Sequence, residues 1–294
     1  MTDPVRQIAD AVLYEGYLLW PYRRSATKNQ QRWTFGGVFP PEHSAAHPDD
    51  PSWVQTEVAL EGSDDLDVRV RFLHPVERTL VDTAGSPVDE LDGQLAWEEA
   101  TEREISAQIG RTEIHIGEGC DREAVDGGEI VRSWRELRGF IDVRITSVGR
   151  VRVRIENTTP WSGDDRRDAL RRAFCSTHAV LHTNRGAFVS ATEVRGENKG
   201  LWPVLVGEPG ARDTVLAAPI ILPDHPQVAP ESPGDLFDAT EIDKLLILNV
   251  LALTPQEQAE MRASDPRARE ILDRCAALSP DELMRLHGTI RELR

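Results

Sequence analysis

Two histidines four residues apart are the first candidates for metal chemistry in this chain. On a helix, the spacing of His178 and His182 would let both imidazole rings bind one metal ion. The run Ala179-Val180-Leu181 between them is typical of a strand instead, and four strand residues span about 13 Å. Two rings that far apart cannot share an ion at about 2 Å per bond. We therefore predict no bound metal and no cofactor; a metal carrier using His178, His182, His225 and the acids from Asp235 to Asp243 is one alternative.

Motifs for nucleotide binding and acyl transfer are missing from the sequence. It contains no G-x-x-x-x-G-K-[ST] phosphate loop, no G-x-G-x-x-G turn after a strand and no G-x-S-x-G nucleophile motif. The leading hypothesis therefore assigns no catalytic residue. Because catalytic triads assemble in space, a hydrolase-type enzyme is a second alternative, with Glu15, Arg23 and His225 beside a pocket near a proline-rich connector.

The most unusual composition lies between residues 14 and 35. Six aromatic rings and four cations occur in these 22 residues, although the whole chain is only 6% aromatic. Aromatic residues and arginine are enriched at protein–protein hot spots, so we predict a partner-docking surface here. A strand pair with its rings in the core, or an anion or nucleotide pocket, would explain the same residues. The predicted partner contacts are Tyr14, Tyr17, Trp20, Tyr22, Arg23, Lys28, Arg32 and Trp33.

The charge balance argues against a protein that follows the backbone of a nucleic acid. The 294 residues contain 34 Lys+Arg and 50 Asp+Glu, a net charge of −16, whereas such binders are basic. Most of the acidic excess lies between Glu42 and Glu104, and the stretch from Gly16 to Pro41 has no acidic residue. We expect this asymmetry to shape surfaces and partners rather than the fold.

Sequence signals that are missing predict the cellular location of the protein and the state of its cysteines. The opening residues show no secretory signal, and the longest apolar runs are about nine residues, short of the about 20 that a spanning helix needs. Cys120, Cys175 and Cys275 form no C-x-x-C pair. We expect a cytoplasmic protein without a membrane span, a zinc ribbon or disulfide bonds.

Alternating apolar and charged residues predict antiparallel strands in the middle of the chain. The pattern is clear at 66–73, 140–145 and 151–155, and further strands are predicted at 179–182, 187–190, 201–206 and 214–222. Turn residues between 179–182 and 187–190 predict a hairpin. Helical periodicity is confined to 97–108 and 164–174. We predict an α+β fold whose antiparallel β-rich body is a sandwich or barrel.

The last sixty residues change to a helical pattern. Three predicted helices begin with a capping residue followed by proline, at Thr254-Pro255, Asp265-Pro266 and Ser279-Pro280. An apolar stripe from Ile242 to Leu253 predicts another helix before them. The predicted organisation is a β-rich body with the N-terminal aromatic and basic segment (1–218), a proline-rich connector (219–234) and a short-helix C-terminal region (235–294).

Three runs of the sequence, 14–24, 28–37 and 218–238, resemble an uncharacterised bacterial protein family associated with NiFe-hydrogenase gene clusters and their maturation proteins. The resemblance covers both ends and much of the middle of the chain. It implies a non-catalytic accessory or assembly protein whose partner is a hydrogenase subunit or maturation factor. It implies no catalytic residues.

Overall fold

Alternation of apolar and charged residues along the strands produces two antiparallel sheets that pack face to face. The computed structural model describes residues 4–30, 35–62, 65–146, 148–227 and 243–279. Apolar side chains from both sheets share one core, and short helices follow at the C-terminal end. The predicted α+β class, an antiparallel β-rich body with a short-helix C-terminal region, is confirmed.

The five-stranded sheet forms one layer of the sandwich. It consists of β1 (Trp53–Glu61), β7 (Gly110–Ile116), β10 (Leu137–Ile145), β11 (Arg150–Asn157) and β13 (Ala187–Phe188). The lateral order is β13-β1-β11-β10-β7. The strands predicted at 140–145 and 151–155 are confirmed as the neighbours β10 and β11, with Ile145 opposite Val151.

The eight-stranded sheet forms the second layer. It consists of β2 (Asp67–Asp82), β3 (Pro87–Val88), β6 (Trp97–Ala107), β8 (Gly119–Val125), β9 (Gly128–Trp134), β12 (Cys175–His182), β14 (Trp202–Leu205) and β15 (Thr214–Ala218). A separate short pair is formed by β4 (Glu90–Leu91) and β5 (Gln94–Leu95). The long strand β2 joins the sheet together, because it pairs with β12, β9, β6 and β3.

The helix predicted at 97–108 is wrong, because this segment is strand β6. It pairs with β2 without interruption, from Val68 opposite Ala107 to Arg78 opposite Trp97. Glutamate and alanine favour a helix in isolation, but a long continuous partner strand outweighs that local preference.

The hairpin predicted from 179–182 and 187–190 is also wrong. Strand β12 pairs with β2 and β15, whereas Ala187 and Phe188 pair with Glu61 and Leu60 of β1. The turn at 183–186 therefore carries the chain from one sheet to the other. At Gly186 the backbone passes so close to the Glu61 carbonyl oxygen that an added Cβ would lie 2.8 Å from it.

The core between the sheets follows directly from the alternation. In β11, Val151, Val153 and Ile155 are fully buried, while the residues between them point to the opposite face. Phe72 of the eight-stranded sheet packs against Phe174, with ring centroids 4.7 Å apart. Burial of large apolar side chains of this kind contributes about 1.5–3 kcal/mol each.

Six α-helices lie in the described residues. They are α1 (Pro4–Tyr14), α2 (Pro41–Ala46), α3 (Arg166–Leu170), α4 (Asp243–Leu251), α5 (Pro255–Ser264) and α6 (Pro266–Ala276). The predicted starts of α5 and α6 are confirmed: Thr254 forms a capping box with Glu257, and Asp265 caps α6. The third predicted start, at Ser279-Pro280, runs out of the described residues. An N-terminal strand pair is not formed by 4–30, where α1 and a 3-10 helix (Thr27–Gln30) stand instead.

The helices α1 and α3 to α6 pack on the outer face of the eight-stranded sheet. Ala9 and Val12 of α1 join an apolar cluster with Leu216 and Ala218 of β15. A second cluster combines α4, α5 and α6 with α3, the N-terminal segment and strand residues such as Leu73. Short helices of about ten residues are marginal alone and need such burial. Among the described residues, no helix is long and apolar enough to cross a membrane.

Candidate functional site

The tyrosines of the predicted docking segment lie in the core. Tyr14, Tyr17 and Tyr22 are 5%, 1% and 0% exposed, and the rings of Tyr14 and Tyr17 meet edge to face at 5.4 Å. Trp20 is half-buried, with its ring 5.9 Å from that of Tyr22. While the chain holds this fold, the three tyrosine rings are not available to a partner.

Polar bonds tie the same segment to the C-terminal helices. The Tyr17 hydroxyl donates to Asp265 Oδ2 at 2.7 Å, and the backbone N–H of Ser25 donates to Glu260 at 2.9 Å. Burial and the hydrogen bond to Glu102 raise the pKa of Tyr14. Asn29 holds the loop closed, since its side chain pairs with both the N–H and the carbonyl of Leu19. The segment therefore acts as a connection between α1 and α5–α6.

The cations of the segment divide into three groups. Arg23 lies 3.1 Å from Glu257 and Arg24 lies 2.9 Å from Asp89, so both are used within the chain. Lys28 is exposed in the 3-10 helix. Arg32 and Trp33 lie outside the described residues. Whether this contact set meets a partner stays a prediction, but its tyrosines and Arg23 already have a structural role.

The two spaced histidines have different surroundings, although they share one face of β12. His178 is fully buried opposite Arg71, and burial lowers its pKa to about 4. His182, opposite Asp67, is only half-buried and lines a cavity. The described residues contain no group of three or more His, Cys, Asp or Glu arranged to hold a metal ion. Residues 235–242 and the side chain of Asp243 lie outside the description.

The hydrolase alternative would need Glu15, Arg23 and His225 in one pocket. Arg23 lies against α5, whereas the His225 ring accepts a hydrogen bond from the N–H of Gly210 at 3.3 Å. The start of the connector is pinned to the sandwich, because Asp224 accepts bonds from Leu205 N–H and from the Ser190 hydroxyl. Arg23 and His225 thus belong to different parts of the structure, and the connector is described only as far as residue 227.

The outer face of the five-stranded sheet carries a set of residues that sequence reasoning missed. Cross-strand neighbours form rows, one of which runs Gln55, Arg154, Asp142 and Arg111 from β1 to β7. We call the outward residues of these four strands the arginine face. In the paired registers it has four carboxylates, Glu57, Glu113, Asp142 and Glu156, and six arginines, Arg111, Arg138, Arg144, Arg150, Arg152 and Arg154. Three more carboxylates stand at its edges: Glu61 ends β1, Glu136 contacts Arg138 and Glu197 contacts Arg152.

Several cations of the arginine face are open to solvent. The side chains of Arg144, Arg111 and Arg138 are 71%, 55% and 52% exposed. A shallow groove of about 380 Å³ crosses the face, between Gln55 and Arg144. Each of these three arginines contacts one carboxylate nearby, so its guanidinium keeps further donors for a partner.

Aromatic rings orient two arginines of the arginine face. The Arg111 guanidinium lies 3.7 Å from the centre of the Phe140 ring, and Arg154 lies 4.0 Å from that of Trp53. Lys199 also contacts the Trp53 ring, at 3.7 Å. Cation–π contacts of this kind contribute about 0.5–1 kcal/mol at exposed sites, and they hold long side chains in one orientation.

A buried carboxylate organises the β1–β11 side of the arginine face. The Glu57 side chain is 5% exposed and accepts hydrogen bonds from Arg152 at 2.8 and 3.0 Å and from Arg150 at 3.2 Å. Hydrogen bonding to Glu57 raises the pKa of Arg152. Two guanidinium groups are thereby fixed before any partner arrives, which lowers the entropic cost of binding.

The sequence contained a signal for this face that the strand prediction did not use. Arg144, Arg150, Arg152 and Arg154 occur within eleven residues of a strongly acidic chain. Alternation predicts that they share one side of two neighbouring strands, but it does not predict which side a helix will cover.

No protein-family model and no curated protein matches this chain. Function is therefore inferred from the chemistry of the surface and its cavities.

Proposed function

We propose that the chain is a non-catalytic accessory protein that binds an acidic protein partner through the arginine face. The observation that carries the proposal is the density of arginine on this face: six arginines lie in the paired registers of four strands, three of them more than half exposed, in a chain whose net charge is −16. Complementary charge steers association and selects partners. A partner surface rich in carboxylates is the chemistry that fits.

The composition of the face supports a protein as the partner. Arginine and aromatic residues are enriched at hot spots, and here Trp53 and Phe140 stand among the arginines with cations stacked on their rings. Acids such as Asp142 and Glu156 alternate with the arginines, so the face suits separate carboxylates at fixed positions on a protein better than the evenly spaced charges of a phosphate backbone.

The hydrogenase link belongs to the same proposal and rests on the resemblance of runs 14–24, 28–37 and 218–238. In this form the partner is a NiFe-hydrogenase subunit or one of its maturation factors. The prediction is specific, since the co-purifying protein would then be present only in cells that express the hydrogenase.

The proposal is tested by affinity capture at native expression, with three versions of the full chain. The face variant is Arg111→Gln/Arg144→Gln/Arg154→Gln, which removes three charges from the arginine face. The matched control is Arg122→Gln/Arg185→Gln/Arg212→Gln, which removes three exposed charges elsewhere. The captured protein is then purified and its affinity for each version is measured.

We expect the wild type and the control to bind one acidic protein equally, and the face variant to bind it at least about tenfold more weakly. Higher salt should weaken binding of the wild type, since exposed charges are screened. Equal affinity of the face variant and the wild type for the purified partner would refute the proposal.

A further inference from the structure

A cavity of about 510 Å³ opens beside α1, at the end of β12 farthest from His178. Its walls include the apolar side chains of Val5, Val180 and Ala211, so an alkyl group has somewhere to pack. The cavity lies on the eight-stranded sheet, apart from the arginine face, whose strands belong to the other layer.

A hydrogen-bond chain fixes the orientation of the one histidine in this cavity wall. The Thr214 hydroxyl donates to Asp213 Oδ1 at 3.0 Å, and Thr214 Oγ1 also lies 3.0 Å from His182 Nδ1. A hydroxyl has one proton, and a carboxylate can only accept. Nδ1 must therefore donate to Thr214, which leaves Nε2 of the neutral ring as an acceptor.

His182 Nε2 has no hydrogen-bond partner among the described residues, and it is accessible to solvent. The cavity thus offers an acceptor in a fixed position rather than a donor. A ligand that carries an N–H group would complete the chain from Asp213 through Thr214 and His182.

The charge around the cavity specifies which N–H group fits best. Asp67, Glu208 and Asp213 line it together with one cation, Arg69. Arg69 pairs with Asp67 at 3.1 Å, and Asp213 accepts from Thr214. The exposed Glu208 side chain has no hydrogen-bond or ion-pair partner in the described part of the chain. A cationic donor would be attracted by Glu208 and would satisfy His182 Nε2.

We propose that this cavity binds a primary ammonium group carried on a short alkyl chain. The ammonium group donates to His182 Nε2 and pairs with Glu208, and the alkyl chain packs on Val5, Val180 and Ala211. The same chemistry is found in free aliphatic diamines and in lysine side chains. The test therefore has an arm for each source.

The experiment titrates the full-length protein with three small probes and follows the His182 ring signals by NMR, with calorimetry for the affinity. The probes are 1,4-diaminobutane, N-acetyl-lysine methylamide and butane-1,4-diol, the last being a diol of matched chain length without charge. Protein variants are Glu208→Gln and His182→Gln, with Glu193→Gln as an exposed control outside the cavity wall.

We expect saturable shifts of the His182 ring with at least one amine and none with the diol. Glu208→Gln and His182→Gln should each weaken binding of the amine by about tenfold. Glu193→Gln should bind the amine as the wild type does. Tighter binding of the diamine assigns a free amine, and tighter binding of the lysine derivative assigns a protein side chain. Absence of saturable binding, or equal binding by Glu208→Gln, overturns the proposal.

Discussion

Two runs of alternating valine and arginine, 68–71 in β2 and 151–154 in β11, lie on opposite sheets, and Arg71 of the first run and Arg152 of the second have different surroundings. Arg71 is 4% exposed, because α1 packs above it, and it contacts Asp10 at 2.6 Å. The side chain of Arg152, on the arginine face, is 37% exposed. The same local pattern thus gives a buried ion pair at Arg71 and a solvent-exposed side chain at Arg152, and the difference comes from α1, which covers only the first.

Strand β2 also shows what a buried arginine does when every donor is used. Arg78, with its side chain 2% exposed, donates to Glu99 at 2.6 Å, to the Leu95 carbonyl at 2.7 Å and to the Ser264 carbonyl at 2.7 Å. Ser264 is the last residue of α5, so Arg78 joins β2 to the end of a C-terminal helix. We therefore expect covered arginines to govern stability and exposed ones to govern binding.

The largest effect should come from Arg78→Met. The change leaves Glu99 Oε1 and the Leu95 and Ser264 carbonyl groups without their Arg78 donor, whereas Arg132 still donates to Glu99 Oε2. Breaking a buried pair costs about 3–5 kcal/mol, and because Arg132 remains we expect a loss near the lower end of that range. Urea unfolding should show a correspondingly lower free energy of unfolding. Arg144→Met on the arginine face serves as the control, with an expected change within about 0.5 kcal/mol. Equal urea midpoints for the two variants would contradict the comparison.

Acid should destabilise the eight-stranded sheet next, because two of its histidines, His74 in β2 and His178 in β12, are buried. Burial lowers the pKa of His74 and of His178 to about 4, from 6.5. The unfolded chain therefore binds protons that the folded chain does not, so stability is full above pH 6.5 and falls as the pH drops toward 4. Each histidine should remove about 2 kcal/mol by about pH 5. The measurement is the free energy of unfolding as a function of pH.

A single substitution isolates one of these two histidines. His178→Gln should reduce the loss of unfolding free energy between about pH 6.5 and 5 by roughly half. Of the two histidines whose pKa burial lowers, His74 alone then remains to take up a proton on unfolding. The slope is the readout, so a general loss of stability in the variant does not obscure it. An unchanged slope would mean that His178 is not the neutral buried group described here.

We expect a smaller loss of stability when the contact between the N-terminal segment and the C-terminal helices is weakened. Tyr17→Phe removes the bond to Asp265, whose side chain is buried, and should lower the free energy of unfolding by about 1–2 kcal/mol. Tyr14→Phe is the matched control, because its partner Glu102 is 42% exposed and can be hydrated instead. If Tyr14→Phe destabilised the chain more than Tyr17→Phe, this ranking would be wrong.

The smallest effect on stability is expected on the arginine face. Arg144→Gln should change the free energy of unfolding by no more than about 0.5 kcal/mol, since exposed ion pairs contribute little. Arg111→Gln and Arg154→Gln also lose a cation–π contact, so each should cost no more than about 1 kcal/mol. Thermal melts of the three single variants would check this. If any of them had a melting temperature as low as that of Arg78→Met, the substituted residue would have a structural role.

Local rules predicted the elements whose partners are adjacent in the sequence. The alternation at 140–145 and 151–155 was sufficient for β10 and β11, and proline after a capping residue was sufficient for the starts of α5 and α6. In each case the stabilising contacts lie within the element or in its neighbour. The strand at 97–107 failed, because its partner β2 begins thirty residues earlier.

The same reasoning explains which parts of the candidate site could be predicted. Composition drew attention to Tyr14, Tyr17 and Tyr22, but their burial depends on α5 and α6, which are more than 200 residues away. The alternation placed Arg152 and Arg154 on one side of a strand, yet it could not distinguish them from Arg71. Coverage by a distant helix is a tertiary property, and neither spacing nor composition records it.

Hydrogen exchange of the chain, alone and with its captured partner, tests the central claim most directly. If the arginine face binds the partner, protection should increase in β7, β10 and β11, while α1 and residues 14–28 exchange as they do in the free chain. Protection confined to residues 14–28, with β7, β10 and β11 unchanged, would contradict the account and return the docking surface to the N-terminal segment.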